Sequence, residues 1–363
     1  MLEFAAKHNH VVVGGADPTV GCIGGYLQGA GHGTLSPQFG LATDQVLEYT
    51  VVLASGETVV ANDCQNTDLF TALRGGGGGT YGVVLSATVK AYPTRRTLSH
   101  TLTITDLKKQ NSSAVLNATA PYGLEIPRHR GRGLRRYSNC RRRRWDNVVD
   151  DLLPGNGTDY LVESTWNIHS SWLAWYKSTH HTSPGNNQPM MASRFFDKGA
   201  LLGQQENLTS LLTTLTTEPS ADITTTTTSV ILLNLVAGGK VLEDTPHTSV
   251  NPAWRRTYLL LQVIDFWPAN AGATEIAELK DDLTRRKLGA MKEAAPGMGT
   301  YGNEADPYDP EWREDWYGEK YDWLVGVKQK YDSEGVFWCW RCVGNEGWEE
   351  VTGGGLCLGL CVR

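Results

Sequence analysis

The sequence lacks any run of the roughly 18 apolar residues that a membrane-spanning helix needs, so no membrane partner is expected. It is short of cysteine: seven in 363 residues are too sparse for a disulfide scaffold. It has no surplus of positive charge. With 33 Lys+Arg against 39 Asp+Glu the net charge is −6, which excludes a general nucleic-acid binder. The first ten residues, MLEFAAKHNH, lack a basic segment followed by an apolar stretch, and are not expected to form a secretory signal. Localisation therefore stays open. Hydrophobic residues at 40% and charged residues at 20% exclude a disordered chain, a collagen and a coiled coil, leaving two ordinary domains or one large one.

What the chain has in quantity is glycine, 40 residues, and tryptophan, 12. Many glycines mean tight turns or close approach of backbone to something flat or charged. Four N-x-[ST] sequons, at Asn111, Asn117, Asn156 and Asn207, argue little for secretion, because a Thr-rich chain acquires such sites by chance. Cys339, Cys342, Cys357 and Cys361 read as C-x2-C-x14-C-x3-C, a loose zinc pattern. The second spacing is too wide and the GGGLCLGLCVR tail lacks polar support, so thiols or a disulfide are the preferred reading and no metal is expected.

Composition divides the chain into residues 1–95, 96–300, 301–345 and 346–363. In the first part HVVVGG (10–15) reads as a strand, and VLEYTVVLASGETVVA (46–61) as two strands around a turn. Asp68 is placed to cap a short helix through LFTALR, and YGVVLSATVKAYP as a strand stopped by Pro93. In the second part SVILLNLVAGG (229–239) and TYLLLQVID (257–265) read as strands. EIAELKDDLTRRKLGAMK (275–292) reads as an amphipathic helix with Ile276, Leu279 and Leu283 on one face and Gly289 near its end. Residues 301–345 are dense in aromatics and acids, and 346–363 read as an unstructured tail. Arg128 to Arg144 holds nine Arg in 17 residues. It is an exposed basic loop, a patch for an anionic partner, or part of a mistranslated stretch spanning about 124–160, which shows neither strand nor helix period. The TTTTT run at 224–228 reads as a loop.

Two segments carry the chemistry. GGADPTVGCIGGYLQGAGHG (14–33) leaves one backbone edge nearly free of side chains, suited to a pyrophosphate or a flat ring. The bland alternative is a turn-rich structural loop. DLFTALRGGGGGTYGVV (68–84) holds a formal G-x-G-x-x-G at Gly77, Gly79 and Gly82. A dinucleotide fingerprint needs a strand before it and a helix after it. Here the order is reversed and the fingerprint is rejected. A P-loop fails because no Lys-Ser/Thr follows.

These segments, with FGLATDQVLEYTVVLASGETVVA (39–61) between them, resemble the FAD-linked oxidases of the p-cresol methylhydroxylase (PCMH) type, specifically the berberine-bridge-enzyme-like oxidases of the fungal secreted branch. The matching residues are Pro18-Thr19-Val20-Gly21, Gly24-Gly25, Gly29, Gly31-His32-Gly33, Gly40-Leu41, Asp44, Val46 and Asp68 through Val84. YGNEADPYDPEWRE (301–314) and YDWLVGVKQKYDSEGVFWC (321–339) are similar to the family's closing segment.

The resemblance implies an α+β fold. Residues 1–95 would be the second lobe of an FAD-binding domain whose first lobe is missing. Residues 96–300 would be an antiparallel-sheet substrate domain with helices, and 301–345 a berberine-bridge-like segment returning to the FAD domain. Residues 346–363 would remain a tail. It also implies FAD as cofactor, a small-molecule substrate such as an alcohol, sugar or amine, and dioxygen as electron acceptor. Pro18, Thr19, Val20, Gly21, Gly24, Gly25 and Gly29 would face the pyrophosphate and the ring edge. Gly82, Val83 and Val84 would pack near the cofactor, and Asn303 and Tyr321 beside the ring. His32 and Gly33 belong to the same glycine-rich motif, with His32 read as structural or ring-facing rather than as a base.

The departures matter equally. The family's flavin-attaching His lies some tens of residues before the P-T-V-G loop, and no counterpart is found here. Where members with a second covalent bond carry Cys, this chain has Asp17, and Cys22 is off register. The family's Asn-Tyr pair reads Lys320-Tyr321, and the second Tyr of its Tyr-x-Asn-Tyr motif is Glu304. Tyr301 and Glu304 are the candidate catalytic residues. Desolvation among aromatics would raise the pKa of such an acid. Alternatively, Glu304 is a surface acid in a loop with Asp306, Asp309 and Glu311. Trp312, Trp316, Trp323 and Trp338 are expected in the core, with an aromatic substrate wall as the lesser reading. The expected function is an FAD-dependent oxidase. The rivals are an inactive, truncated flavin-domain remnant and a zinc- or anion-binding interaction module.

Overall fold

The computed structural model describes residues 1–106, 160–179, 188–202, 205–217, 228–267, 269–351 and 355–358. The Arg-rich run, the threonines at 224–227 and the sequons at Asn111, Asn117 and Asn156 lie outside these residues. So does the suspect stretch 124–160, except Tyr160.

Among the described residues the strands are, in chain order, β1 His10–Val11, β2 Val46–Val52, β3 Thr58–Asn62, β4 Val83–Val89, β5 Tyr92–Pro93 and β6 Thr97–Asp106, followed by β7 Tyr160–His169, β8 Gln188–Asp197, β9 Thr228–Asn234, β10 Thr257–Trp267, β11 Trp348–Val351 and β12 Gly355–Leu358. They form antiparallel sheets in the orders β3-β2-β4, β8-β10-β9, β1-β5, β6-β7 and β11-β12. With the helices between them the fold is α+β.

Two cores divide the apolar side chains. The first gathers Val46, Tyr49 and Val51 of β2, Leu69 and Phe70 of the helix Thr67–Ala72, and Trp312, Tyr317, Tyr321, Leu324 and Val327 from the far end of the chain. The helix Tyr321–Tyr331 explains the join. Tyr321, Leu324 and Val327 recur at helical spacing and are all buried. Each such side chain stabilises by about 1.5–3 kcal/mol, and Leu324→Ala would cost about 2–5 kcal/mol. Lys328 on the same face is also buried. Its ammonium donates to the carbonyls of Thr80 (2.7 Å) and Phe337 (2.6 Å) and to Asp332, so no donor is stranded. The second core lies under the sheet β8-β10-β9 and includes Phe195, Phe196, Leu259, Leu261 and Val263 with Leu279, Leu283 and Met291. Arg74 links the two halves, donating to the carbonyls of Thr43, Pro246 and His247.

Several expectations are corrected. Only His10–Val11 of the HVVVGG segment is strand, because its partner β5 is two residues long. Pro93 does not end β4, which stops at Val89; Pro93 sits in β5 opposite His10. Asp68 does not cap its helix. Asn66 holds the cap position in a left-handed conformation (φ 47°), and Asp68 instead accepts from Lys330 (2.5 Å) and Tyr331 (2.7 Å). The helix drawn over 275–292 runs Ala273–Asp282, passes through a wide π-type turn over Leu283–Leu288, and continues Gly289–Ala294. Gly289 is thus internal. The wide turn places Lys287 against Asp265 of β10 (2.8 Å), both fully buried. Residues 346–363 are not a bare tail, since β11 and β12 pair. Trp323 is exposed rather than core, because it faces away from the buried stripe of its helix. Cys339 and Cys342, by contrast, form a disulfide, in line with the reading preferred over a zinc site.

Candidate active site

The first loop is shaped by Asp17. Its carboxylate accepts from the backbone N–H (2.7 Å) and the hydroxyl (2.5 Å) of Thr19, which turns the chain at Pro18 and leaves residues 16–21 exposed. The glycines that follow divide by what a side chain would meet. A Cβ on Gly21 or Gly24 would meet nothing within 4 Å, so packing does not require glycine there. A Cβ on Gly29 would stand 2.8 Å from both the Asn303 amide and the Gly25 carbonyl, and one on Gly33 2.2 Å from the Gly14 carbonyl. Gly29 and Gly33 let elements approach, whereas Gly21 and Gly24 bare a stretch of backbone.

The five-glycine run lies against this loop. The Gln28 carbonyl accepts from the N–H groups of Gly75 and Gly77 (both 3.0 Å), and a Cβ on Gly78 would come 3.1 Å from Gly25. Gly82 is fixed by β2, where a Cβ would strike Val51 at 2.6 Å. Val83 is exposed and Val84 half-buried.

The closing segment completes the group. Asn303 donates to the Gly25 carbonyl (2.8 Å) and to the Tyr301 hydroxyl (2.6 Å). Tyr301 is buried, edge-on to His32 with ring centroids 5.1 Å apart. Burial, and then the Glu304 charge, hold its hydroxyl far above the ordinary phenol range, so it stays a neutral donor. His32 Nε2 lies 2.9 Å from each Glu304 carboxylate oxygen, and Gln262 Nε2 donates to the same carboxylate at 2.5 Å. Asn234 in turn donates to Gln262 Oε1. Glu304 is therefore not a free surface acid, although a quarter of its side chain remains open to solvent. Its supposed companions differ: Asp306 and Asp309 are buried, and Glu311 is exposed.

The structure thus brings together Gly25, Gly29, His32, Tyr301, Asn303 and Glu304. Tyr321 belongs elsewhere. It packs in the aromatic core with Trp312 and Tyr317 and donates to Glu346 (2.5 Å). Gln262 and Asn234 were not anticipated. Their signal was one amide in each of two apolar strands, LLLQVI and VILLNL. Three buried polar atoms in this region, Tyr26 Oη, Gln28 Oε1 and His32 Nδ1, have no protein partner.

One acidic cluster, Asp309, Glu311 and Asp315, has the spacing of a cation site. The Lys292 ammonium already fills it, at 2.7 Å from Asp309 and 2.8 Å from each of the other two. Arg194 also pairs with Asp315 (2.5 Å), so the cluster is a structural knot of carboxylates around basic side chains.

Comparison with known proteins shows what the chain resembles. Residues 1–62 match the family described as FAD binding domain, and residues 300–341 the family described as Berberine and berberine like. The FAD-linked oxidoreductase patO of Aspergillus clavatus is 33% identical over 367 residues, covering 96% of this chain and 62% of the relative. The FAD-linked oxidoreductase hmp9 of Hypomyces subiculosus is 33% identical, covering 97% and 60%. The chain spans about three fifths of the length of such curated relatives. Among solved structures, the VAO-type flavoprotein MtVAO713 of Myceliophthora thermophila C1 superposes with a TM-score of 0.87 at 28% identity, covering 98% of this chain and 67% of that one. Glucooligosaccharide oxidase of Acremonium strictum, at 18% identity and a TM-score of 0.72, shares the fold. By its matched segments, its relatives and its architecture, the chain is similar to the berberine-bridge-like FAD-linked oxidoreductases and shares the fold of the VAO-type flavoproteins.

Proposed function

We propose that the protein is an FAD-dependent oxidoreductase that oxidises a small molecule, with Glu304 as proton acceptor and dioxygen as the final electron acceptor. The observation that carries this reading is the Glu304 carboxylate, held by His32 and Gln262 beside the Gly25–Asn303 contact. The residues fit the cofactor. Gly21 and Gly24 present open backbone in an exposed loop, as a pyrophosphate or ring edge requires, and three buried polar atoms nearby lack protein partners. The loop Pro18–Gly25 would hold the flavin, with Asn303 beside it.

When bound, the flavin supplies the two-electron acceptor for a hydride from a substrate carbon. The chain's own task is the accompanying proton. The Glu304 carboxylate accepts it from the substrate hydroxyl. His32 and Gln262 fix the carboxylate's orientation, and Asn234 fixes Gln262 in turn. Tyr301, kept neutral by burial, offers a hydroxyl rather than a second base. The Cys339–Cys342 bridge supports action in an oxidising compartment.

The test is flavin content followed by substitution. The purified chain should take up FAD, and Glu304→Gln should keep FAD while slowing flavin reduction by about 10²–10⁴-fold. A chain that takes up no FAD, or a Glu304→Gln variant as fast as its parent, overturns the reading.

A further inference from the structure

The two faces of the sheet β8-β10-β9 differ in a way that bears on the substrate. Residues directly opposite in an antiparallel pair share a face, as do residues two apart along a strand. On one face of β10, Leu261, Val263 and Asp265 point into the helix-covered core and are buried. Gln262 and Ile264 point the other way. Gln262 is opposite Leu232 on β9 and Ser193 on β8, and Ile264 is opposite Val230 and Met191. This second face is the one from which Gln262 reaches Glu304.

Its polar and apolar members are arranged unequally. Near the closing segment stand Gln262, Asn234 and Ser193, and their bonds are already made: Gln262 to Glu304 and Asn234, and Ser193 to Thr300. Further along the strands the face is aliphatic. Val230 and Leu232 are 37% and 38% exposed, and Ile264 and Met191 are half-buried. Leu232 neighbours Gln262 across the strand gap of roughly 5 Å, so the aliphatic strip runs up to the carboxylate group without a break.

From this continuity we infer that the substrate is an alcohol on an apolar, aliphatic or alicyclic body. The hydroxyl reaches Glu304 and the body lies on Val230, Leu232, Ile264 and Met191. A sugar fits poorly here. Its many hydroxyls would be desolvated against methyl groups, while Gln262 is already committed to Glu304 and Asn234, and Ser193 to Thr300. The inference rests on the reading of Glu304 as proton acceptor and narrows it.

The experiment uses the full chain and measures binding by calorimetry, with 2-decalol and cyclohexanol as apolar probes and cellobiose as the sugar probe. Flavin content is measured separately on the same preparation. The alcohols should bind and cellobiose should not. Leu232→Asp and Val230→Asp, at exposed positions, should each weaken 2-decalol about tenfold while the melting temperature holds. Binding of cellobiose overturns the inference. So does absence of alcohol binding, or alcohol binding indifferent to both substitutions. The two failures separate: a chain that holds FAD but prefers cellobiose loses only the substrate class, whereas a chain that binds 2-decalol through Leu232 but never takes up FAD loses the redox reading.

Discussion

His32 and Glu304, 272 residues apart in the chain, meet with one ring nitrogen 2.9 Å from both carboxylate oxygens. The contact joins the glycine-rich loop to the closing segment at the point where Gln262 arrives from the sheet. A carboxylate with bonds from two separate elements is fixed in position, and a quarter of it remains open to solvent.

The two classes of glycine should separate in the laboratory. Gly24→Ala is expected to leave the melting temperature within about 1–2 °C, because a Cβ there meets open space. Its FAD uptake should fall, because the methyl group covers backbone that would face the cofactor. Gly29→Ala is expected to lower stability by about 1–3 kcal/mol, because its Cβ collides with Asn303 and the Gly25 carbonyl. Thermal melts and flavin titration on both variants make the comparison. Equal stability losses would refute the division.

Asn303→Ala should weaken FAD binding about tenfold with little change in melting temperature. The side chain is exposed, but it is what ties the Gly25 carbonyl to Tyr301. Quenching of flavin fluorescence measures the affinity, and an unchanged affinity would remove Asn303 from the cradle.

Asp309 provides a pH test. Burial, with the neighbouring Asp315 carboxylate, raises its carboxyl from 3.8 to about 6. A raised acid means that the folded chain holds a proton which the unfolded chain has released between those pH values, so this group's contribution to stability falls as pH rises from about 4 to about 6. Asp309→Asn removes that dependence. Between pH 4.5 and pH 7 the parent should lose on the order of 1 kcal/mol relative to the variant, read from urea melts. Parallel pH profiles would show that Asp309 ionises normally.

The Cys339–Cys342 bridge closes a four-residue turn beside the Gly79 carbonyl. A loop so short restricts the unfolded chain only modestly, so reduction, or the double Cys339→Ser and Cys342→Ser change, should cost about 1–2 kcal/mol. Melting with and without dithiothreitol checks this. A loss well above that range would mean that the bridge holds more than its own turn.

Much of this was legible in the residues. The strands β2, β3 and β10 follow from β-branched runs and the exposed loop Pro18–Gly25 from its glycine spacing, whereas the return of the closing segment was implied by the family resemblance. What was not legible depends on tertiary partners. Asp68 looked like a cap because its residue type suits one, but Lys330 and Tyr331 claim it. Gln262 and Asn234 were lone amides in apolar strands until the sheet register placed them together. The aromatic cluster of Trp312, Tyr317 and Tyr321 likewise became visible only with the tertiary packing.

The first core draws on residues 13–81 and again on 312–343. During synthesis Leu69 and Phe70 leave the ribosome about 250 residues before Leu324, which covers the same core. At roughly 5–20 residues per second that is an interval of about 10–50 s. Throughout it the glycine-rich half carries an uncovered apolar face and an unfinished cofactor loop. The order of manufacture therefore makes flavin loading a late event, and makes the nascent glycine-rich half, rather than the finished protein, the form most exposed to aggregation and to chaperone capture.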